Sequence, residues 1–103
     1  MVRVTYGLDD SGNYSYLKVS GHADFAEKGK DLICASVSSI FYGLMNALEG
    51  MEEDAEINDS GKEIEILIKS GRQTVQNYIE LVLMQLKTIE FSYGEFIRIK
   101  ERK

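Results

Sequence analysis

The segment EIEILI, residues 63–68, is the tightest constraint on what this chain can fold into. Ile64, Ile66 and Ile68 alternate with Glu63, Glu65 and Leu67. Successive side chains of a strand point to opposite faces, so this segment offers one apolar face to a core and one face to water. Upstream, EIN and the turn residues Asp59-Ser60-Gly61 complete a hairpin. The chain opens the same way. In VRVTYG, Val2, Val4 and Tyr6 share a face; LDDSGN is a turn cluster; YSYLKVSG reads as the returning strand. Residues 2–20 are therefore expected to form a first hairpin.

Between and after the hairpins the apolar period lengthens to that of a helix. From Leu32 to about Leu48, Ile33, Val37, Ile40, Leu44 and Ala47 form one stripe. Asp31 is placed to be the N-cap and Gly50 to end the helix. Ser70-Gly71 opens a second helix over 72–90, with Val75, Ile79, Val82, Leu86 and Ile89 inward. Gly94 punctuates, and EFIRIK closes as a strand with Phe96 or Ile97 turned inward. The order ββαββαβ predicts an α+β fold: a single-domain sandwich of a mainly antiparallel sheet with two main helices. A chain of 103 residues has room for one modest core, so residues 1–103 are expected to be one domain.

Composition narrows the function. No apolar run approaches the ~20 residues that span a bilayer, and MVRVTYGLDD lacks the apolar region of a signal peptide. No membrane association and a cytoplasmic location are expected. One cysteine cannot form an intramolecular disulfide, which agrees with a reducing compartment. The net charge of −5 argues against binding bare nucleic acid and suits a basic partner. There is no Walker A motif and no GxGxxG, and Ser36, Ser38 and Ser39 lie in a helix without a nucleophile elbow.

The stretch GHADFAEKGKDLICASVSS holds the only histidine, His22, and the only cysteine, Cys34. A free cysteine is most simply a small buried hydrophobe. Three features favour a reactive one. Cys34 falls in the first helical turn, where unpaired N–H groups and the macrodipole stabilise a thiolate. It is one residue, about 100° of turn, past Ile33, which places it off the expected apolar stripe. Its neighbour four residues on is the polar Ser38. His22 follows Gly21 at a strand end; if that strand adjoins the helix start, its imidazole can serve as the base that nucleophilic cysteine chemistry needs.

Asp31 admits two roles: the helix cap, worth on the order of 1 kcal/mol, which is favoured, and a group that orients His22. Asp24 is a weaker candidate for the second. The segment ADFAEKGK, with Gly21 and Gly29 at its ends, is either a plain surface loop or a lid over an extended peptide that Phe25 contacts. One histidine and one cysteine form no strong metal-ligand spacing, so neither a metal nor a cofactor is expected.

The residues GHA, a short loop, then Gly-Lys-Asp-Leu-Ile-Cys-Ala-Ser-Val-Ser on a helix resemble the bacterial ribosomal-processing cysteine protease family (Prp, YsxB-like). The resemblance spans essentially the whole chain. Ser36 stands where the family commonly has alanine or glycine, and Leu32-Ile33 replaces other aliphatic pairs. The resemblance implies that His22 is the general base and Cys34 the nucleophile, with Asp31 and Ser38 supporting and Gly21 and Gly29 at the loop ends. It implies a homodimer with a loop that moves to admit substrate. The implied reaction removes an N-terminal extension from large-subunit ribosomal protein number twenty-seven, after a pair of phenylalanines, for which Tyr42 or Phe25 would help line a pocket. Two rival readings are a non-catalytic acidic module that holds a basic ribosomal or assembly protein, with Cys34 buried and inert, and a thiol redox sensor.

Overall fold

The computed structural model describes residues 1–22 and 30–102, the side chain of Lys30 excepted. The expected order appears in full: β1 (Val2–Leu8), β2 (Tyr14–Ser20), α1 (Lys30–Ala47), β3 (Ala55–Asp59), β4 (Glu63–Ile68), α2 (Gln73–Tyr93) and β5 (Ile97–Glu101). The five strands form one sheet in the order β3-β4-β2-β1-β5. All pairings are antiparallel except β1 with β5, where Val2 lies beside Ile97.

The alternation of each strand decides its faces. Val4 pairs with Val19, and Val19 with Ile64. These side chains are buried and face the helices, as do Val2, Leu17, Ile66 and Ile97. The opposite face is polar and partly open: Lys18 pairs with Glu63 at 3.1 Å, and the Arg102 guanidinium stacks 3.7 Å from the Tyr16 ring centre. Both hairpin turns use an aspartate that bonds the backbone ahead of it. Asp9 Oδ1 accepts from the N–H groups of Ser11 and Asn13, and Asp59 Oδ1 accepts from that of Gly61. Gly61 sits at φ 86°, a left-handed conformation that glycine adopts without steric cost.

The buried stripe of α1 corrects the expected one. Cys34, Val37, Phe41, Leu44 and Leu48 recur at alternating three- and four-residue steps, and all are buried, with Ile33 beside them. Ala47 is exposed and Ile40 only half-buried. Phe41 and Leu48 decide the rotation: covering both removes more apolar area from water than covering Ile40 and Ala47 would. Cys34 is therefore on the apolar stripe and inside the core, not off it.

Helix α1 also starts at Lys30, so Asp31 lies in the first turn rather than at the N-cap. Its Oδ1 accepts from the N–H of Leu32 at 2.9 Å. On α2, Val75, Ile79, Val82 and Leu86 turn inward as expected, while Ile89 is half-buried. The helix runs three residues past the expected end, to Tyr93. Among the described residues, no helix is long and apolar enough to cross a membrane.

Candidate active site

The site is assembled where β2 ends against the first turns of α1. Gly21 makes this junction possible. Its φ is 80°, and a Cβ there would stand 2.3 Å from the carbonyl oxygen of Met1. Only glycine lets the chain leave β2 so close to the start of β1. The next residue, His22, is thereby turned into the protein and keeps 2% of its surface exposed. Its Nδ1 is buried and has no hydrogen-bond partner among the described residues. Burial holds the imidazole pKa below its ordinary 6.5, and the negative charge of Asp59 partly opposes that. A neutral imidazole in this setting is available to accept a proton.

Two side chains of α1, four residues apart, fasten the helix to this junction. The Cys34 thiol donates to the carbonyl oxygen of Gly21 at 3.5 Å. The Ser38 hydroxyl donates to the carbonyl oxygen of His22 at 3.3 Å. The unique cysteine thus meets the peptide that leads into the unique histidine. Cys34 is wholly buried and belongs to the core. With α1 starting at Lys30, Cys34 is its fifth residue and opens the second turn instead of lying in the first as expected, so the free N–H groups of the helix start lie one turn before it.

The other residues singled out by sequence fall as follows. Ser38 and Gly21 contact the pair directly. Asp31 is exposed, two turns before Ser38 on α1. Asp24, Phe25 and Gly29, with the rest of the presumed lid, lie outside the described residues. Tyr42 is 44% exposed, and its hydroxyl donates to Asp59 Oδ2 at 3.4 Å. An apolar groove of about 300 Å³ does run between α1 and α2, along Ile40, Leu44, Tyr78, Leu81 and Val82, but Tyr42 does not line it. Sequence reasoning missed Asp59. The signal was present in its place as the last residue of β3, beside the Ser60-Gly61 turn, but nothing local says that β3 ends on the same side of the sheet as β2.

A thiol near the start of a helix, docked at a strand end that carries a buried imidazole, has the makings of a cysteine hydrolase on a two-layer α+β scaffold. The family model described as cysteine protease Prp matches residues 1–98, and the chain belongs to that family. It is a cysteine protease, and the reading of a non-catalytic module does not hold. The ribosomal processing cysteine protease Prp of Bacillus subtilis is 37% identical over 98 residues, 87% of each chain. Among solved structures, the ribosomal processing protease Prp from S. aureus in complex with a substrate peptide superposes with a TM-score of 0.88 at 29% identity, over 99% of this chain and 100% of that one. The same S. aureus enzyme in complex with a covalently linked product peptide gives 0.83 at 31% identity, over 99% and 100%.

Proposed function

We propose that this protease removes the N-terminal extension of a bacterial large-subunit ribosomal protein, number twenty-seven, after a phenylalanine pair. Cys34 is the nucleophile and His22 the general base. The observation that carries the reading is the docking of the Cys34 thiol on the Gly21 carbonyl, one peptide from a buried imidazole held below its ordinary pKa. The peptide complexes of the S. aureus relative support a peptide substrate, and its covalently linked product supports a covalent route.

The thiol proton passes to His22, and the thiolate attacks the carbonyl carbon after the second phenylalanine. N–H groups of the first turn of α1 receive the oxyanion; one such donor is worth about 3 kcal/mol. The imidazolium returns its proton to the leaving amine, and the acyl group stays on sulfur as a thioester. Neutral His22 then takes a proton from water, whose oxygen displaces the thiolate and releases the acid. No metal or cofactor takes part.

Cys34 is fully buried and His22 nearly so, so the cycle needs an opening over the pair before a peptide can reach sulfur. Gly21, Phe25 and Gly29 belong to the substrate side of the site, where Phe25 contacts the peptide. Ser38 holds the carbonyl of His22, and Asp31 supports the first turn of α1. The whole chain, 1–103, acts as one protease domain, works in the cytoplasm and pairs with a second copy. A net charge of −5 favours encounter with a basic ribosomal precursor.

The test is cleavage of a peptide spanning the extension junction. The wild type should cut after the second phenylalanine, and Cys34→Ala and His22→Ala should each lose on the order of 10⁴-fold in kcat. A Cys34→Ala rate near that of the wild type would remove the nucleophile from this assignment.

A further inference from the structure

Cys34, Ser38 and Tyr42 follow one another at four-residue steps, which stacks them along one line of α1. Each reaches a different point at the end of the sheet. Cys34 meets the carbonyl of Gly21, Ser38 that of His22, and Tyr42 the carboxylate of Asp59, at 3.5, 3.3 and 3.4 Å. Asp59 therefore stands one helical turn beyond the contact with His22.

The sheet register gives the same placement independently. Asp59 pairs with Ile64, and Ile64 pairs with Val19. Directly paired residues share a face of the sheet, and Val19 and Ile64 lie in the core beneath the helices. Asp59 is thus on the helix-covered face, at the end of the sheet from which Gly21 and His22 depart. Its carboxylate is held from two directions. Oδ1 accepts from the Gly61 N–H at 2.9 Å, in the turn between β3 and β4, and Oδ2 accepts from the Tyr42 hydroxyl of α1.

The imidazole needs such a group. His22 is buried, and its Nδ1 is without a partner among the described residues. Taking the thiol proton would leave a positive charge in a dry pocket, which is costly unless an opposite charge answers it. Asp59 is the charge that acts in that sense on His22. The other ionisable groups nearby come from Asp31, Cys34 and Tyr42 on α1, from the amino terminus at Met1 against Gly21, and from Glu63 on β4. Glu63 pairs with Ser20 but is engaged with Lys18 on the opposite face of the sheet.

We propose that Asp59 is a positioning residue of the protease site: fixed by Tyr42 and Gly61, its carboxylate steadies the imidazolium formed when His22 takes the Cys34 proton. In that step the S–H bond breaks and an N–H bond forms on the imidazole. Thiolate and imidazolium appear together and the net charge is unchanged. The proposal rests on Cys34 and His22 being the reacting pair.

The chain has a single histidine, so one imidazole C2–H resonance reports its titration by NMR. Asp59→Asn keeps an oxygen to accept from Gly61 and removes only the charge. Its His22 midpoint should move to lower pH than in the wild type, with an unchanged Tm. Asp59→Glu should restore it in part, and added salt should shrink the difference. Turnover of the junction peptide should fall about tenfold in kcat with KM unchanged. Tyr42→Phe leaves the β3–β4 turn untouched and should move the midpoint the same way by less, which keeps the test alive if Asp59→Asn does not fold. A midpoint equal to the wild type in every folded variant overturns the proposal, even if turnover falls. If the wild type does not cut the peptide at all, the substrate assignment fails instead, and the titration still decides the role of Asp59.

Discussion

The two helices lie over the same face of the same sheet, but they are fastened to it differently. Near its start α2 is held by strong, well-paired polar contacts. Gln76 is buried, accepts from the N–H of Tyr14 at 2.7 Å and donates to the carbonyls of Tyr14 and Ser70 at 3.0 and 3.2 Å. Just before the helix, the Asp54 carboxylate accepts from the Ser70 hydroxyl at 2.6 Å and from Arg72 at 3.2 Å. The Ser70 hydrogen bond, with help from Arg72, holds that carboxyl below its usual range. The Tyr14 hydroxyl donates to Glu80, and burial together with that carboxylate pushes it up to about 12. Helix α1 meets the end of β2 through a thiol at 3.5 Å and a hydroxyl at 3.3 Å, both on carbonyl oxygens of residues 21 and 22. Such long contacts of weak donors contribute little each. Among the described polar contacts, α2 is the more firmly fastened helix, and the thiol-bearing end of α1 meets the end of β2 through the weaker ones.

The largest effect expected from this contrast is on stability. Gln76→Leu removes three hydrogen bonds and strands the N–H and carbonyl of Tyr14 in a half-buried place. It should cost about 2–4 kcal/mol. Denaturant unfolding measures it, and cleavage per folded molecule should be unchanged. If activity falls as steeply as stability, α2 is not merely the fixed side and the contrast fails.

A second way to sharpen the comparison is pH. Unfolded His22 titrates near its ordinary 6.5, and burial lowers that value in the folded protein. Between the two values the unfolded chain binds more protons, so stability rises with pH there. The contribution of His22 is complete above about pH 6.5 and declines as pH falls below it toward the folded value. Unfolding of the wild type and of His22→Gln across pH 5–8 tests this. The slope below 6.5 should be shallower in the variant, and parallel curves would show that burial of the imidazole has no part in it.

Those differences were unevenly legible in the chain. All seven elements were, because Ile64, Ile66 and Ile68 alternate cleanly and because Val75, Ile79, Val82 and Leu86 keep a helical period. The uniqueness of His22 and Cys34 marked the site, and the GHA and CAxVS residues tied it to a family. The facing of α1 was not legible. Two stripes overlap at Ile33, Val37 and Leu44, and only packing of Phe41 and Leu48 chooses the one that buries Cys34. A start at Lys30 moved Asp31 off the cap, a shift of two residues of the size that helix ends commonly show. Asp59 was invisible for a different reason. Its nearness to the site comes from the order β3-β4-β2 and from α1 lying over it, relations that no local pattern encodes.

The smallest effect, and the most selective, is expected from Ser38→Ala. The hydroxyl is partly buried, and among the described residues it donates to the His22 carbonyl. Losing it should cost about 1 kcal/mol and leave a carbonyl short of a partner. Because the bond joins α1 to the junction at residues 21–22, the loss should appear as faster amide hydrogen exchange over residues 30–38. Exchange over 73–93 should be unchanged, since Gln76 and the core still hold α2. A looser first turn also changes access to sulfur, so alkylation of Cys34 at neutral pH should speed up by a few-fold in step with local exchange. Equal loss of protection in both helices would mean that they open as one unit. The weak attachment of α1 would then be a matter of bond lengths alone, with no separate mobility at the thiol.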